Sequence, residues 1–168
     1  MTGQMQKNAN KPGEEKKIYR QTVGNNSRAR HDYFIEETVE AGLELHGSEV
    51  KSLRTRRVSF ADAYARVIDN ECWLMGLQLV QYDKAHVQLP DPTRRRRLLL
   101  TRREIERLRS KSEISGRTLI PLEIYFKGSW AKVLLGVCRG KTYGDKRESL
   151  KAAEAKREID RVMRGRRR

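Results

Sequence analysis

The sequence predicts a mainly β fold: a small closed β-barrel with inserted helices and a flexible tail at each end. Most apolar residues between positions 33 and 137 occur in short segments in which every second residue is apolar, the pattern of half-buried strands. Two segments carry apolar residues at helical spacing instead. Both ends are polar, and 168 residues usually form one domain. Short strands with inserted helices fit a closed barrel better than a sandwich or a bundle.

The first elements of the predicted barrel are a bent strand and a short helix. Residues 33–45 alternate around Ala41-Gly42, which predicts a strand, a bend and a second strand. Within residues 48–53, Val50 and Leu53 are three apart, and this spacing predicts a short helix with one face turned inward.

A hairpin is predicted to follow this helix. Residues 63–67 alternate, and Asp69-Asn70-Glu71 is typical of a tight turn. The returning strand is predicted to face the core through every second residue, namely Trp73, Met75, Leu77 and Leu79.

The second half of the barrel is predicted to contain one longer helix. Asp91-Pro92 interrupts the alternating pattern before it. Thr101 and Glu104 have the spacing of a capping box, in which the two side chains satisfy free backbone N–H groups at a helix start. Ile105 and Leu108 supply the apolar side of this helix.

Two long strands are predicted to close the barrel. Residues 122–126 and 131–137 both alternate, and Lys127-Gly128-Ser129 between them predicts a tight hairpin.

The sequence predicts three parts along the chain. Residues 1–25 lack hydrophobic periodicity, which predicts a flexible polar arm. Residues 26–140 contain the predicted barrel. Residues 141–168 are basic and rich in Ala, which favours a helix, but their apolar stripe is too thin to hold an isolated helix in water. We therefore expect this tail to be disordered until it binds a partner.

The charge of the chain indicates a polyanionic partner. Lys and Arg number 37 against 22 Asp and Glu, which gives a formal net charge of +15. This excess disfavours a compact state unless a polyanion binds, so nucleic acid is the expected partner and an anionic membrane surface the alternative. No apolar run approaches the roughly 20 residues of a membrane span. The first residues also lack the apolar region of a secretory signal, so we expect a cytoplasmic protein that does not bind membranes.

The sequence carries no recognisable catalytic or metal-binding pattern. None of its three histidines has a second His or Cys at ligand spacing, and Gly-rich phosphate loops and nucleophile elbows are missing. An RNA-processing enzyme would need such a group of residues. We therefore expect no catalytic residue, metal site, cofactor or small-molecule substrate. Cys72 and Cys138 fit no metal motif, which predicts two reduced thiols, with a disulfide as the alternative.

One short stretch combines the residue types that folded RNA needs. Asn26, Arg28, Arg30, His31 and Tyr33 supply positive charge, an aromatic face and fixed hydrogen-bonding groups. The alternative for the two arginines is a solvated basic strand end. The alternative for the tyrosine is packing in the core.

Five blocks of sequence, in order, resemble one bacterial family. Residues 30–54 read RHDYFIEETVEAGLELHGSEVKSLR, and Asp-Pro-Thr-Arg follows at residues 91–94. Lys132-Val133, Gly140-Lys141 and Asp145-Lys146-Arg147 come next. Together they resemble the SsrA-binding protein family, also called small protein B, the partner of bacterial transfer-messenger RNA. The resemblance covers roughly residues 25–150 and implies an OB-like barrel.

The resemblance implies where RNA binds. In the family, one face of the barrel grips the transfer-RNA-like domain, and the matching positions here are Asn26, His31, Glu40, Leu99 and Lys132. Lys132 and His31 would contact phosphate or sugar, which positions the RNA. Glu40 would accept from base amino groups or ribose hydroxyls, or hold a basic neighbour. Leu99 would support an unstacked base, with burial in the core as the alternative.

Two further family-typical segments leave alternatives open. Glu49, Lys51 and Arg54 match the family, but Glu49 and Lys51 are expected to hold a short helix to the barrel. The run of four arginines at residues 94–97 is either an exposed loop entering a helix or a surface facing RNA or the ribosome.

The tail departs from the family pattern of Gly-Lys-Lys, two further positions and Asp-Lys-Arg. Here Thr142 replaces a basic residue, and Gly144 replaces the aromatic or His residue that commonly precedes Asp-Lys-Arg, with Tyr143 one place earlier. The resemblance implies that four tail residues contact the ribosome: Lys141, Asp145, Lys146 and Arg147.

The resemblance implies a role in the rescue of stalled ribosomes. The protein would bind transfer-messenger RNA, replace its missing anticodon arm and place its tail in the empty messenger channel, so that the nascent chain is tagged for degradation. The alternative is a general RNA-binding barrel, such as a ribosomal or ribosome-assembly protein.

Overall fold

The computed structural model describes residues 19–80 and 91–165, which form nine strands and four helices. In chain order these are β1 (Arg20–Asn25), α1 (Ser27–Asp32), β2 (Tyr33–Leu43), α2 (Gly47–Arg54), β3 (Val58–Ser59), β4 (Tyr64–Ile68), β5 (Glu71–Met75), β6 (Gln78–Leu79), β7 (Arg96–Leu99), α3 (Arg102–Ser112), β8 (Arg117–Lys127), β9 (Trp130–Gly140) and α4 (Tyr143–Gly165).

Six of the strands form a closed ring of antiparallel neighbours. The order around the ring is β8, β4, β5, β7, β2 and β9, and β9 pairs again with β8. The β4–β8 contact consists of the single pair Ala65 and Leu119. β1 pairs with β8 outside the ring, and β3 pairs with β6 in a separate two-stranded sheet. The predicted mainly β fold is confirmed.

The inside of the ring is filled with apolar side chains. The largest buried cluster takes its members from β1, β2, β4 to β9 and the helices α2 and α3, and includes Ala41, Leu74, Leu98, Ile124 and Val133. A smaller cluster lies under α1 and consists of Ala29, Ile120, Leu122 and Cys138. Side chains thus occupy the space that the ring encloses, as in small barrels generally.

Several local predictions are confirmed. α2 contains Val50 and Leu53, and α3 begins with the Thr101 and Glu104 capping box, in which the Thr101 N–H donates to Glu104 Oε2 at 2.7 Å. Asp69 and Asn70 have φ values of 48° and 63°, the left-handed conformation that a two-residue hairpin turn requires. The β8–β9 hairpin turns at Gly128, whose φ is 61°.

The predicted division of residues 33–45 into two strands is wrong. β2 is one strand of 11 residues, and it changes partner at Gly42. It pairs with β9 up to Gly42 and with β7 from Gly42 to Leu43. A small residue at this point permits close approach of both neighbours, and an apolar/polar pattern does not distinguish such a change of partner from a break between two strands.

The predicted inward face of residues 73–79 is wrong for Trp73 and Met75. The chain leaves β5 at Gly76, whose φ of 68° shifts the alternation by one residue. Cys72 and Leu74 are therefore buried before Gly76, while Leu77 and Leu79 are buried after it. The two other residues remain only partly covered, and Trp73 stacks under the Arg95 guanidinium, whose central carbon lies 4.9 Å from the ring centroid.

Both predicted tails require correction where the structure describes them. The arm predicted at residues 1–25 ends too late, because Arg20–Asn25 forms β1 and its backbone pairs with β8; residues 1–18 lie outside the described residues. The tail predicted as disordered at residues 141–168 contains α4 over Tyr143–Gly165. Helix-favouring Ala residues and an N-terminal cap outweigh the thin apolar stripe there.

The two cysteines are free and buried, as the predicted reduced thiols require. Burial raises the pKa of both thiols to about 11, so neither carries an appreciable thiolate fraction near neutral pH.

Gly76 is the backbone position most sensitive to a side chain. A Cβ there would lie 2.1 Å from the Asp62 carbonyl oxygen, on a residue with a φ of 68°. We expect Gly76→Ala to lower the free energy of unfolding by about 3 kcal/mol, from left-handed strain and steric displacement together. Gly116→Ala is the control, since Gly116 has a φ of 79° but open space around it, and it should cost about 1 kcal/mol. Urea unfolding measures both, and equal losses would contradict the steric argument.

Candidate nucleic-acid interface

A row of directly paired residues crosses five strands on the outer side of the ring. Thr22 in β1 pairs with Tyr125 in β8, which pairs with Lys132 in β9. Lys132 pairs with Gly42 in β2, and Gly42 pairs with Leu99 in β7. Directly paired residues of antiparallel strands project to the same face. We call the surface along this row the strand face.

Gly42 allows Leu99, at one end of the row, to lie close against β2. A Cβ on Gly42 would meet the Leu99 Cβ at 3.1 Å, so a larger residue would displace the leucine. Leu99 is 49% exposed, whereas Leu98, on the opposite side of the same strand, is 2% exposed. The core alternative for Leu99 is therefore wrong, and its side chain is available at the surface.

Glu40 organises the basic residues of the strand face. It lies two residues before Gly42 and accepts a hydrogen bond from the Tyr125 hydroxyl and one from Lys127 Nζ at 3.3 Å, while Lys132 Nζ is 3.9 Å away. The Tyr125 hydrogen bond, helped by Lys127 and Lys132, lowers the pKa of Glu40. Burial, followed by the Glu40 carboxylate, raises the pKa of Tyr125 to about 12. Glu40 is thus a carboxylate beside a neutral phenol and two lysines.

Arg20 extends the strand face at β1. Its guanidinium carbon lies 4.0 Å from the centre of the Tyr125 ring, and its Nη2 lies 2.6 Å from Glu123 Oε2. Thr22 Oγ1 donates to Glu123 Oε1 at 2.9 Å. The sequence did not indicate this residue, because residues 1–25 were predicted to form a flexible arm.

Trp130 is an exposed aromatic residue at the edge of the same face. It is 74% exposed and pairs with Lys127, which in turn pairs with Arg20. Trp130 is not among the residues predicted to bind RNA. The alternation of β9 could have indicated it. Val133 and Leu135 are buried, so Trp130 and Lys132, which lie at the other positions of the alternation near the turn, face outward.

The first group of predicted RNA-binding residues lies on α1, away from the strand face. Asn26 is only 8% exposed, and its Oδ1 accepts from the Ala29 N–H while its Nδ2 donates to the Pro121 carbonyl, both at 3.0 Å. This side chain caps α1 and ties it to β8. The structure therefore gives Asn26 a positioning role in the protein itself.

The other members of this group differ in exposure. Arg28 projects into solvent, with its Nε 3.3 Å from Asp32 Oδ2, and His31 is about half exposed, with its Nδ1 2.9 Å from Asp32 Oδ1. Tyr33 packs partly against the small apolar cluster under α1, as its core alternative proposed. Arg30 is exposed.

The predicted RNA-binding residues thus form two groups. Glu40 and Lys132, with Leu99, lie on the strand face, while Asn26, Arg28, His31 and Tyr33 lie at the other end of β2. The seven residue steps from Tyr33 to Glu40 span about 23 Å of strand. An RNA that contacts both groups must extend over at least this distance.

The run of four arginines divides into one buried, one partly buried and two outward side chains. Arg96 is 0% exposed, and its Nε donates to Glu49 Oε1 at 2.9 Å while its other nitrogens reach the Leu77 and Pro92 carbonyls. Arg94 donates to the same carboxylate. Arg95 stacks on Trp73, and Arg97 pairs with Glu44 and Glu71.

Glu49 therefore has the structural role that was expected for it. Burial alone would raise its pKa, but hydrogen bonds from Arg94 and the His46 N–H, together with Arg96, outweigh burial and lower it. The same expectation is wrong for Lys51, which lies with Arg54 on the exposed side of α2. Arg54 is 5.9 Å from the Phe126 ring centre.

The predicted ribosome-contacting residues surround the start of α4. Thr142 caps this helix, since its N–H and hydroxyl donate to Asp145 Oδ2 at 2.9 and 2.6 Å, and these hydrogen bonds lower the pKa of Asp145. Arg147 stacks on Tyr143 at 4.5 Å. Both departures from the family pattern thus have a local consequence: Thr142 supplies a cap, and Tyr143 meets Arg147 one turn later. Lys141 and Lys146 contact α1.

Among the residues that the structure describes, no group of three or more His, Cys, Asp or Glu side chains could hold a metal ion. In the same residues, no helix has the length and apolar character needed to cross a membrane.

Residues 23–165 match the family model described as SmpB protein. The chain belongs to the SmpB family. It is similar to the SsrA-binding protein of Limosilactobacillus reuteri, with 48% identity over 141 residues, 84% of this chain and 90% of that protein. It is equally similar to the SsrA-binding protein of Geobacillus thermodenitrificans, with 48% identity over 86% of this chain and 93% of that protein. A solved structure described as "tmRNA-SmpB: a journey to the center of the bacterial ribosome" matches with 48% identity and a TM-score of 0.62, over 75% of this chain and 92% of that one.

The buried Glu49 carboxylate yields a prediction about stability. Glu49→Gln leaves the fully buried Arg96 without its counter-charge, so we expect the free energy of unfolding to fall by about 3 to 5 kcal/mol. Glu71→Gln removes an exposed partner of Arg97 and should cost less than about 1 kcal/mol.

The pH dependence of the free energy of unfolding provides a second test of the role of Glu49. Because the pKa of Glu49 is lower in the folded state, its contribution is present above the unfolded-state pKa and is lost as the pH falls through the folded-state value. Glu49→Gln should therefore flatten the acid side of the stability curve. Urea unfolding between about pH 3 and 7 measures this, and an unchanged acid slope would contradict the assignment.

Proposed function

We propose that this chain binds transfer-messenger RNA and delivers it to stalled ribosomes for trans-translation. The relatives are named for SsrA binding, and the similar solved structure concerns transfer-messenger RNA and the bacterial ribosome. The ring of six strands is, in this proposal, an OB-like barrel. The observation that carries the proposal is the strand face, where exposed basic, aromatic and apolar side chains surround a fixed carboxylate.

The strand face is proposed as the grip on the transfer-RNA-like domain. Lys132, Lys127 and Arg20 lie on adjacent strands and provide three positive charges for phosphates. Leu99 and Trp130 offer apolar and aromatic surface to unstacked bases. Glu40 holds the two lysines in place, which reduces the conformational entropy that they lose when phosphate binds. Its remaining acceptor capacity is available to a ribose hydroxyl or a base amino group.

α1 is proposed as a second contact to the same RNA. Arg28 and His31 are the exposed basic groups that would meet phosphate or sugar. Asn26 supports them indirectly, because its cap fixes the start of the helix that carries both. Tyr33 contributes mainly through packing at the beginning of β2.

The tail is proposed to enter the empty messenger channel of the ribosome. All described side chains from Leu150 to Arg164 are exposed, and they include five basic residues: Lys151, Lys156, Arg157, Arg161 and Arg164. Ribosomal RNA would neutralise this charge. The tail fits only where no messenger is present, so it would bind only ribosomes whose messenger channel is empty. Peptide-bond chemistry belongs to the ribosome in this scheme, and no residue of this chain is assigned a catalytic step.

Binding to the transfer-RNA-like domain should depend steeply on salt and on Lys132. Each phosphate that a lysine or arginine neutralises contributes roughly 0.7 to 0.9 to the slope of log K against log salt. We therefore expect Lys132→Ala to reduce the slope by about one such unit. Arg103→Ala is the matched control, since it removes the same charge from the exposed side of α3 and should leave the slope unchanged.

The measurement is a binding titration at several salt concentrations, with an unrelated structured RNA of equal length in parallel. A flat salt response would reject a phosphate-dominated interface. Equal affinity for both RNAs would favour a general RNA-binding protein over the proposed function.

Truncation after Gly140 should separate RNA binding from ribosome rescue. β9 ends at Gly140, so the ring keeps all its strands, and the proposed RNA contacts precede the cut. The truncated protein should bind the transfer-RNA-like domain within about threefold of the full chain but should not support tagging, because nothing fills the channel. Normal tagging would reject the proposed tail function. Loss of RNA binding in a truncated protein that still unfolds in one cooperative thermal transition would place the tail in the RNA grip.

A further inference from the structure

One carboxylate lies where α1 meets the start of α4. Asp32, the last residue of α1, has three basic side chains around its two oxygens. Arg28 Nε lies 3.3 Å from Oδ2, and His31 Nδ1 and Lys146 Nζ each lie 2.9 Å from Oδ1. The Asp32 carbonyl accepts from the Lys141 N–H at 2.9 Å. The residue thus contacts both the helix that carries proposed RNA contacts and the beginning of the tail.

Asp32 remains ionised at any physiological pH. The hydrogen bond from Lys146 and that from His31 lower the pKa of its carboxyl to about 2. The Asp32 side chain is 22% exposed and that of Lys146 is 35% exposed, so solvent screens their ion pair in part.

Lys141 forms a second link at the same junction. Its Nζ donates to the Arg30 carbonyl and to Ser149 Oγ, both at 3.2 Å, and so connects the end of α1 with the second turn of α4. Beyond Ser149, every described side chain of α4 is exposed. The described contacts that hold the helix therefore lie at its base.

Small changes at this base have large effects at the far end of α4. A helix of 23 residues is about 35 Å long, so tilting its base by about 10° moves the far end by about 6 Å. Whatever holds Lys146 in place therefore sets the direction in which the tail leaves the ring.

We propose that Asp32 is a positioning residue that holds the base of α4 against α1 through Lys146. It thereby fixes the direction of the tail relative to the helix that carries Arg28 and His31. The consequence for function rests on the proposed function. RNA would be bound by α1 and the tail would enter the messenger channel, and their relative orientation would stay fixed because a single carboxylate connects α1 with α4. Asp32 itself need not touch RNA.

Distance measurements between two spin labels test the anchor in the free protein. Cysteines introduced at the exposed Ser115 and Ala155 would carry the labels, while Cys72 and Cys138 stay unlabelled because both are buried with a pKa of about 11. The unsubstituted junction should give one narrow distance distribution. Asp32→Asn should broaden it at least twofold, since the neutral amide loses the charge that holds Lys146.

Two further variants make the result specific. Lys146→Met removes the same ion pair from a partly exposed helix position outside the core of the ring, and should broaden the distribution similarly. Asp32→Asn and Lys146→Met together should broaden it no further, because they break the same contact. Asp160→Asn is the control, as it removes one negative charge from an exposed part of α4 and should leave the width unchanged. A narrow distribution in Asp32→Asn, or equal broadening in Asp160→Asn, would overturn the proposal.

Binding and tagging assays with the same variants separate this proposal from the proposed function. Asp32→Asn should retain affinity for the transfer-RNA-like domain, since loss of a negative charge does not weaken phosphate attraction, yet tagging should fall about tenfold. Normal tagging with a broadened tail would overturn the functional part. If the unsubstituted protein itself failed to bind the RNA, the proposed function would fall, and the spin-label result would still decide whether Asp32 anchors α4.

Discussion

The pairing of β9 with β8 on one side and β2 on the other is the constraint on which the rest of the structure depends. It aligns three strands of 11 residues, with one irregularity in each pairing, between Ile35 and Glu37 and between Pro121 and Glu123. Val133, Leu135 and Val137 therefore enter the core, and Trp130 and Lys132 face outward beside Tyr125 and Gly42. A shift of one residue would bury the lysine and expose the valines. The same hydrogen bonds thus specify the core and the strand face.

A second constraint lies in the buried ion pair between α2 and β7. Arg96 enters the interior only because Glu49 and two backbone carbonyls satisfy its guanidinium. This arrangement fixes residues 92–97 against α2 and determines which side of β7 faces inward. Leu98 then enters the core and Leu99 lies on the strand face. The position of one proposed RNA contact thus depends on an ion pair that no RNA reaches.

The sequence predicted elements whose signal is local. The capping box at Thr101, the turn at Asp69-Asn70 and the β8–β9 hairpin depend on neighbouring residues, and all three are present. Trp73 and Met75 were placed on the wrong face because one left-handed glycine, Gly76, changes the alternation, and such a φ is not visible in an apolar/polar pattern.

β1 was missed because its stability comes from pairing with β8, a strand about 100 residues later, and not from its own apolar residues. For the site, the resemblance identified Glu40, Leu99 and Lys132. Only the strand register places Leu99 and Lys132 in one row with Tyr125 and brings that row next to Glu40, Arg20 and Trp130. Which residues of different strands lie side by side depends on the tertiary structure, and the order of residues along the sequence does not show it.

The start of the tail illustrates how a departure from a family pattern can be compensated locally. Where the family has a second basic residue after glycine, Thr142 exchanges hydrogen bonds with Asp145 and caps α4. A helix that begins at a fixed cap has a defined first turn, and that turn presents Lys146 to Asp32. The sequence thus loses one positive charge in the tail and gains a fixed helix start at the junction with α1. The carboxylate that pairs with Lys146 belongs to the same helix as Arg28 and His31. In the proposed function, α1 therefore positions both the tail and the side chains that contact RNA.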